Sequence, residues 1–257
     1  MRFTRAIVRP PSRTFADGLT HANLGKPDLE KARVQHATYC SALEHCGLTL
    51  TFLDPDDKYP DSTFVEDPAV LTTHAAILTN PGAASRNGEV SGIASVVSKF
   101  YARVERVRAP GTLEGGDICQ ADDHFFIGLS QRTNPEGARQ LAEILAAHGY
   151  TSSIIDIRNA TTVLHLKTGM SYLGDGRVIA MEEIADDPAF AEYEVVRVPP
   201  AESYAANFLR INDHVIVAAG FPGVAAAVRG FGHEIIPLDM SEFRKMDGSL
   251  SCLSLRF

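Results

Sequence analysis

Tryptophan is absent from this chain, and cysteine is scarce, with four residues among 257. Cys40, Cys46, Cys119 and Cys252 form no Cys-x-x-Cys pair and show no metal-ligand spacing. A disulfide framework is therefore not expected, nor is a metal or other cofactor. Basic runs are also missing. Lys and Arg number 24 against 32 Asp and Glu, a net charge of -8. Nucleic-acid binding needs a basic face, so nucleic acid is not an expected partner. No apolar run approaches the roughly 18 residues of a membrane span. The start, Met1 to Arg9, is too short and too charged for a secretory signal. These absences predict a cytoplasmic protein away from membranes, and they leave a homodimer open.

What is present is enough for a real core. Hydrophobic residues make up 45% of the chain and charged residues 22%, so no long disordered segment is expected. Helix signals fall at Asp28 to His45, Asn87 to Phe100, Asn134 to Gly149, Glu182 to Tyr193 and Pro222 to Phe231. The third is the clearest, with Asn134 as N-cap, Pro135 at the first helical position and Glu136 in the first turn. The fourth is interrupted by Pro188. Each helix is followed by a β-rich segment: Leu48 to Leu53, Arg103 to Arg108, Ser152 to Ile157, Glu194 to Val198 and Glu234 to Leu238.

Hairpin patterns precede four of these helices: Ala69 to Thr79, Asp117 to Leu129, Met170 to Met181 and Asn207 to Ala219. Their turns are marked by Thr72-Thr73-His74, Asp122-Asp123, Gly174-Asp175-Gly176 and Asn212-Asp213. A fifth hairpin forms if Ser251 to Phe257 pairs with Phe3 to Arg9. The chain then reads as hairpin–helix–strand units repeated five times, an α/β fold with no linker and one domain over residues 1–257. An ordinary α/β domain with some antiparallel strands is the competing reading of the same pattern.

The reactive residues sit at or beside hairpin starts. Cys252 follows Asp247-Gly248-Ser249, a turn that can present a thiol at a strand start. His165 is flanked by leucines and followed by Lys167-Thr168-Gly169, which marks a loop. Glu114-Gly115-Gly116-Asp117 sets two glycines between acids, so the backbone can bend and approach a ligand closely. Asp61 to Pro68 carries three acids around Phe64 and Val65. Each has a plainer reading: a core cysteine, a hydrogen-bonded core histidine, a loop, a solvated turn. The other histidines fall mostly in turn or helix-surface patterns.

In their order, Phe64-Val65-Glu66-Asp67, Glu114-Gly115-Gly116-Asp117, His165-Leu166-Lys167-Thr168-Gly169 and a cysteine near the C-terminus resemble the dimethylarginine dimethylaminohydrolase family. That family belongs to the guanidine-modifying superfamily with arginine deiminase and amidinotransferase. The similarity spans essentially the full chain and includes Asp17-Gly18-Leu19-Thr20, Leu24 to Asp28, Pro60-Asp61-Ser62 and Cys252 to Phe257. It implies a five-bladed α/β-propeller, the pentein fold, with pseudo-fivefold repeats and the active site on the axis. It also implies the site residues. Cys252 resembles the family nucleophile, His165 the general acid/base, and Glu114 the carboxylate that orients both histidine and substrate. Glu66 and Asp67 match a pair lining the pocket, Asp67 against the guanidinium. Arg86 and Arg132 resemble the arginines that hold the substrate carboxylate. Leu19 and Asp61 match contacts to the amino-acid end, and Met246 and Asp247 a segment whose backbone meets the substrate.

The activity implied is hydrolysis of N-omega,N-omega-dimethylarginine, or the monomethyl form, to citrulline and the methylated amine. A covalent intermediate on the cysteine is part of it. One departure separates this chain from arginine deiminases, which carry His-x-Asp where it has His165-Leu166-Lys167. Methylated nitrogens offer fewer donors, so loss of that acid favours a methylated substrate. The alternatives are a deiminase-like guanidine hydrolase and a non-catalytic propeller used for binding.

Overall fold

The computed structural model describes residues 2–160 and 163–257. Its repeating element is a three-stranded sheet, and five such sheets occur among the described residues. In chain order, β1 (Arg5–Val8), α1 (Leu29–His45) and β2 (Thr49–Phe52) come first. Next are β3 (Ala69–Leu71), β4 (Ala76–Leu78), α2 (Glu89–Val97) and β5 (Val104–Arg106). The third group is β6 (Ile118–Ala121), β7 (His124–Leu129), α3 (Pro135–Ala147) and β8 (Thr151–Asp156). A short α4 (Leu166–Gly169) leads into β9 (Met170–Gly174), β10 (Arg177–Met181) and β11 (Glu194–Val198). The last are β12 (Leu209–Ile211), β13 (His214–Ala218), α5 (Pro222–Gly230), β14 (Glu234–Leu238), α6 (Ser241–Arg244) and β15 (Ser254–Arg256).

Every sheet obeys one rule. Two strands pair antiparallel as a hairpin, the chain crosses over, and a third strand adds in parallel to the second. A parallel pair needs a long connection, which is why each repeat holds a crossover. The chain termini supply the fifth case. β15 pairs antiparallel with β1 in the register Ile7 to Leu255, and β2 adds in parallel with Ile7 opposite Thr51. The expected hairpin between Ser251–Phe257 and Phe3–Arg9 is therefore present.

The turns follow from residue type. Asp122, Asp175 and Asn212 each take a positive φ of 52 to 55° where a tight hairpin demands the left-handed region. Short Asx side chains tolerate that conformation better than bulky ones. Helix starts are capped by side chains: Asn134, the expected cap, accepts from Gly137 N, and Asp28 accepts from Lys31 N. One expected helix does not form. The crossover from Glu182 to Tyr193 contains turns and a single 3-10 turn, Pro188–Phe190. Pro188 has no N–H to give, and the Asp187 side chain instead accepts from Ala189 N. The helix expected from Asn87 to Phe100 is shortened to Glu89–Val97.

The chain divides into two compact units, residues 1–66 with 208–257, and residues 67–207. In the second, one core gathers Val70 and Ile77 from a hairpin, Leu113, and Phe125 and Ile127 from the next hairpin. Leu141 and Leu145 of α3 close over it, both fully buried. In the first, Phe15, Phe64 and Phe243 form a ring cluster with centroids 5.5 to 6.4 Å apart. The Tyr39 hydroxyl and the Ser254 hydroxyl meet at 2.6 Å inside this unit. Cys40, Cys46 and Cys119 are buried, as packing residues should be. His36 is buried too. It lies on the inner face of α1 beside Cys40, and burial lowers its basicity to about 4.

Asn134 joins fold to site. Its side-chain oxygen caps α3 and accepts from Thr112 N at 3.0 Å, while its amide donates to Pro110 O. Asn134→Ala is expected to cost about 1–2 kcal/mol. That loss reads as a lower urea midpoint with an unchanged slope.

Candidate active site

The second unit holds a buried cluster of opposite charges built from hairpin starts. Glu114 precedes the 3-10 turn Gly115–Asp117 that leads into β6, and His165 caps the start of α4. His165 Nε2 and Glu114 Oε2 stand 2.7 Å apart. The other Glu114 oxygen accepts from Ala83 N at 3.0 Å and lies 3.8 Å from Arg132 Nη1. Asp67 accepts from Gly116 N at 2.8 Å and pairs with Arg86 Nη1. The close approach depends on glycine. A Cβ at Gly116 would sit 2.8 Å from both Asp67 Oδ1 and the His165 ring. A Cβ at Gly82 would sit 2.3 Å from Arg132 O, so the loop carrying Arg86 packs on the backbone of Arg132.

The charges set each other's proton affinity. Burial by itself would lower the basicity of His165, but Asp67, Asp117 and Glu114 overcome it and raise it to about 9. Burial pushes Asp67 and Glu114 upward. His165 and Arg86 outweigh it and hold both carboxyls below the usual carboxylate range. At neutral pH the site thus carries an imidazolium among carboxylates. A protonated imidazole held among carboxylates can give a proton to a basic group bound beside it.

Arg86 is buried. It is 5% exposed, its Nε and Nη2 donate to Glu89, and its Nη1 meets Asp67. Arg132 is more open. Asp67, Glu114 and His165 each offer one atom within 4.8 Å of the others, a grouping that suits a cation. The sequence assigned no metal, and the imidazolium competes with a metal ion for these same carboxylates.

The first unit carries the remaining expected residues. Cys252 lies in the 3-10 turn Ser251–Leu253 just before β15, partly exposed. Its sulfur is 3.5 Å from Ser249 Oγ, and its N–H donates to Ser249 O. Glu66 grips this turn. Its N–H donates to Cys252 O, and its carboxylate accepts from Ser251 Oγ and Arg256. Asp61 accepts from Leu19 N through both oxygens, at 3.0 and 3.2 Å. A Cβ at Gly18 would meet both Asp61 Oδ1 and Met246 Cε, so Leu19, Asp61 and Met246 come together. Asp247 takes φ 55° and accepts from His21 N, and Thr20 donates to Lys245 O. The segment after Asp17 is thus pinned by hydrogen bonds at residues 19, 20 and 21.

Sequence reasoning missed Glu89, Ser130 and Thr133. Glu89 sits three residues after Arg86 in a helix start, a spacing that could have suggested the pair. Nothing in local sequence marks Ser130 and Thr133 as partners of Asp117.

The titration of His165 is the direct check on this electrostatic picture. In the free protein its ring should stay protonated through neutral pH and titrate near 9, read by imidazole NMR. Its folded value is raised, so its stabilising contribution is full below about 6.5, declines above it and is lost as pH rises through about 9. The depressed carboxyls Asp67 and Glu114 act at the other end: their contribution is lost as pH falls below the ordinary carboxylate range. A ring titrating at its ordinary value would show that the carboxylates do not govern it.

A family model described as arginine deiminase matches residues 57–203. The N(G),N(G)-dimethylarginine dimethylaminohydrolase of Pseudomonas aeruginosa is 47% identical over 99% of this chain and 100% of its own. That of Streptomyces coelicolor is 36% identical over 98% of this chain and 96% of its own. A solved structure of the Pseudomonas aeruginosa enzyme, a Cys-to-Ser variant complexed with citrulline, superposes with a TM-score of 0.97 at 46% identity, covering 100% of both chains. The fold class read from the sequence, five α/β repeats of the pentein propeller type, is shared with that structure. The chain belongs to the dimethylarginine dimethylaminohydrolase family, within the wider arginine deiminase group.

Proposed function

We propose that this chain hydrolyses N-omega,N-omega-dimethylarginine, and the monomethyl form, to citrulline plus dimethylamine or methylamine. The observation that carries the reading is the buried His165–Glu114 contact at 2.7 Å beside Asp67. Such a cluster suits a cationic substrate whose leaving nitrogen needs a proton. The Pseudomonas aeruginosa relative, named for this activity and solved with citrulline, supports it.

In this reading Cys252 attacks the guanidinium carbon, and His165 protonates the departing amine. A thiouronium-type intermediate on Cys252 remains. His165 then takes a proton from water, which adds to the same carbon, and collapse frees citrulline and the thiol. Glu114 orients His165, and Asp67 contacts the guanidinium. Glu66 holds the cysteine turn from behind. Arg132 takes the substrate carboxylate through a charge-assisted contact. Arg86 shares that role only by releasing Asp67 or Glu89. Leu19 and Asp61 meet the amino-acid end, and Met246 and Asp247 offer backbone groups. The reading treats residues 1–257 as one catalytic domain in a reducing, cytoplasmic setting, and needs no metal. Among the described residues no helix is long and apolar enough to cross a membrane.

Leu166 and Lys167 follow His165 with no second acid, which favours a methylated over an unmethylated guanidinium. Purified protein given dimethylarginine should release citrulline and dimethylamine, and given arginine far less ammonia. Cys252→Ser should abolish turnover, by about a thousandfold or more, and keep measurable substrate binding. Turnover that survives the change removes Cys252 from the mechanism.

The anions proposed around the thiol would oppose its ionisation, and a bound guanidinium would favour it. Thiolate absorbance in the ultraviolet should therefore rise when a guanidinium ligand is added at neutral pH. A band already at full strength without ligand contradicts the assigned surroundings of Cys252.

A further inference from the structure

We infer that Asp117 is a positioning residue, whose buried carboxylate holds His165, Glu114 and Arg132 in register. This rests on the proposed function for the meaning of those three residues. Asp117 is fully buried at the end of the turn Gly115–Asp117. Its Oδ1 accepts from Leu166 N at 3.0 Å, the amide that joins His165 to α4. Its Oδ2 accepts from Ser130 Oγ at 2.7 Å and from Thr133 Oγ1 at 2.6 Å.

Those two hydroxyls pass the constraint on. Thr133 Oγ1 in turn accepts from Glu114 N at 3.2 Å. Ser130 Oγ accepts from Arg132 N at 2.9 Å and from Thr133 N at 3.1 Å. One carboxylate therefore ties down the backbone of the imidazole, of its carboxylate partner and of a proposed substrate arginine. The packing is made for it. A Cβ at Gly128 would lie 2.8 Å from Leu166 Cβ and 3.2 Å from Asp117 Oδ1, so only glycine on β7 lets these segments meet.

The charge matters along with the bonds. His165 faces three carboxylates, Asp67, Asp117 and Glu114, and Arg86 and Arg132 stand behind Glu114. Burial pushes the Asp117 carboxyl above its ordinary range, while His165 and the two hydroxyls act against that rise. Leu166 N, Ser130 Oγ and Thr133 Oγ1 all donate to this carboxylate, and through them it places its neighbours. A misplacement of about 1 Å in a proton donor is enough to cost roughly a hundredfold in rate.

Asp117→Asn keeps shape and an oxygen acceptor but removes the charge. The expected result is a fall in kcat of roughly tenfold to a hundredfold with a smaller, several-fold rise in KM, since no substrate-contacting side chain is removed and Arg132 is loosened only through Ser130. In the free variant His165 should titrate at lower pH than in the native protein, by about half a unit or more, because one of three neighbouring anions is gone. Native kcat together with a native His165 titration would overturn the inference. If Asp117→Asn does not fold, Thr133→Val cuts the same chain between Asp117 and Glu114. A several-fold loss in kcat at constant KM is then expected, and native kcat is the overturning result. The NMR titration needs no substrate. Should the protein release neither methylated amine, the functional reading falls, yet the His165 shift still decides the role of Asp117.

Discussion

A protonated imidazole sharing a hydrogen with a buried carboxylate is the interaction on which this structure turns. Neither partner is tolerable alone in a low-dielectric interior. Unpaired, His165 would shed its proton, and Glu114 would take one up. Together, with Asp67 close by, they stay ionised. The rest of the second unit meets their geometric demands. Gly116 carries no side chain between Asp67 and His165, Ala83 N–H satisfies the spare Glu114 oxygen, and Arg86 balances Asp67 with Glu89 behind it.

The repeat explains why the expected site residues fall near hairpin starts in the sequence. Three of the first strands are entered through a short helical turn, Gly115–Asp117 before β6, Leu166–Gly169 before β9 and Ser251–Leu253 before β15, whose residues lie outside the ladder. Those residues can point a side chain without disturbing pairing. Glu114 stands before β6, His165 before β9 and Cys252 before β15. The sheets themselves are short and mixed, three strands each, with little else to do than hold these turns.

Much of this was legible in the sequence, for physical reasons. Hairpins announce themselves through Asx and Gly at turns that need a positive φ, and Asp122, Asp175 and Asn212 adopt it. A cap announces a helix, as Asn134 with Pro135 does. The failed helix at Glu182 to Tyr193 shows the limit of apolar spacing once Pro188 removes a donor. Burial partners were harder. Arg86 lies in a segment of small residues with no periodicity, yet its guanidinium is shared by Asp67 and Glu89, distant or unremarked in sequence. Glu66 was read as pocket lining, while its carboxylate grips Ser251 and Arg256 nearly two hundred residues on. Such pairings leave no periodicity, because they are fixed by tertiary approach alone.

Depth has a consequence for how dissolved salt acts on this molecule. Asp67 and Glu114 are at most 3% exposed and Arg86 5%, so their mutual attraction is little screened by dissolved ions. Ionic strength screens charges that face water and hardly touches those that do not. Added electrolyte will therefore weaken the long-range pull of a chain of net charge -8 on an approaching cation. The balance struck among the interior charges will stay as it was.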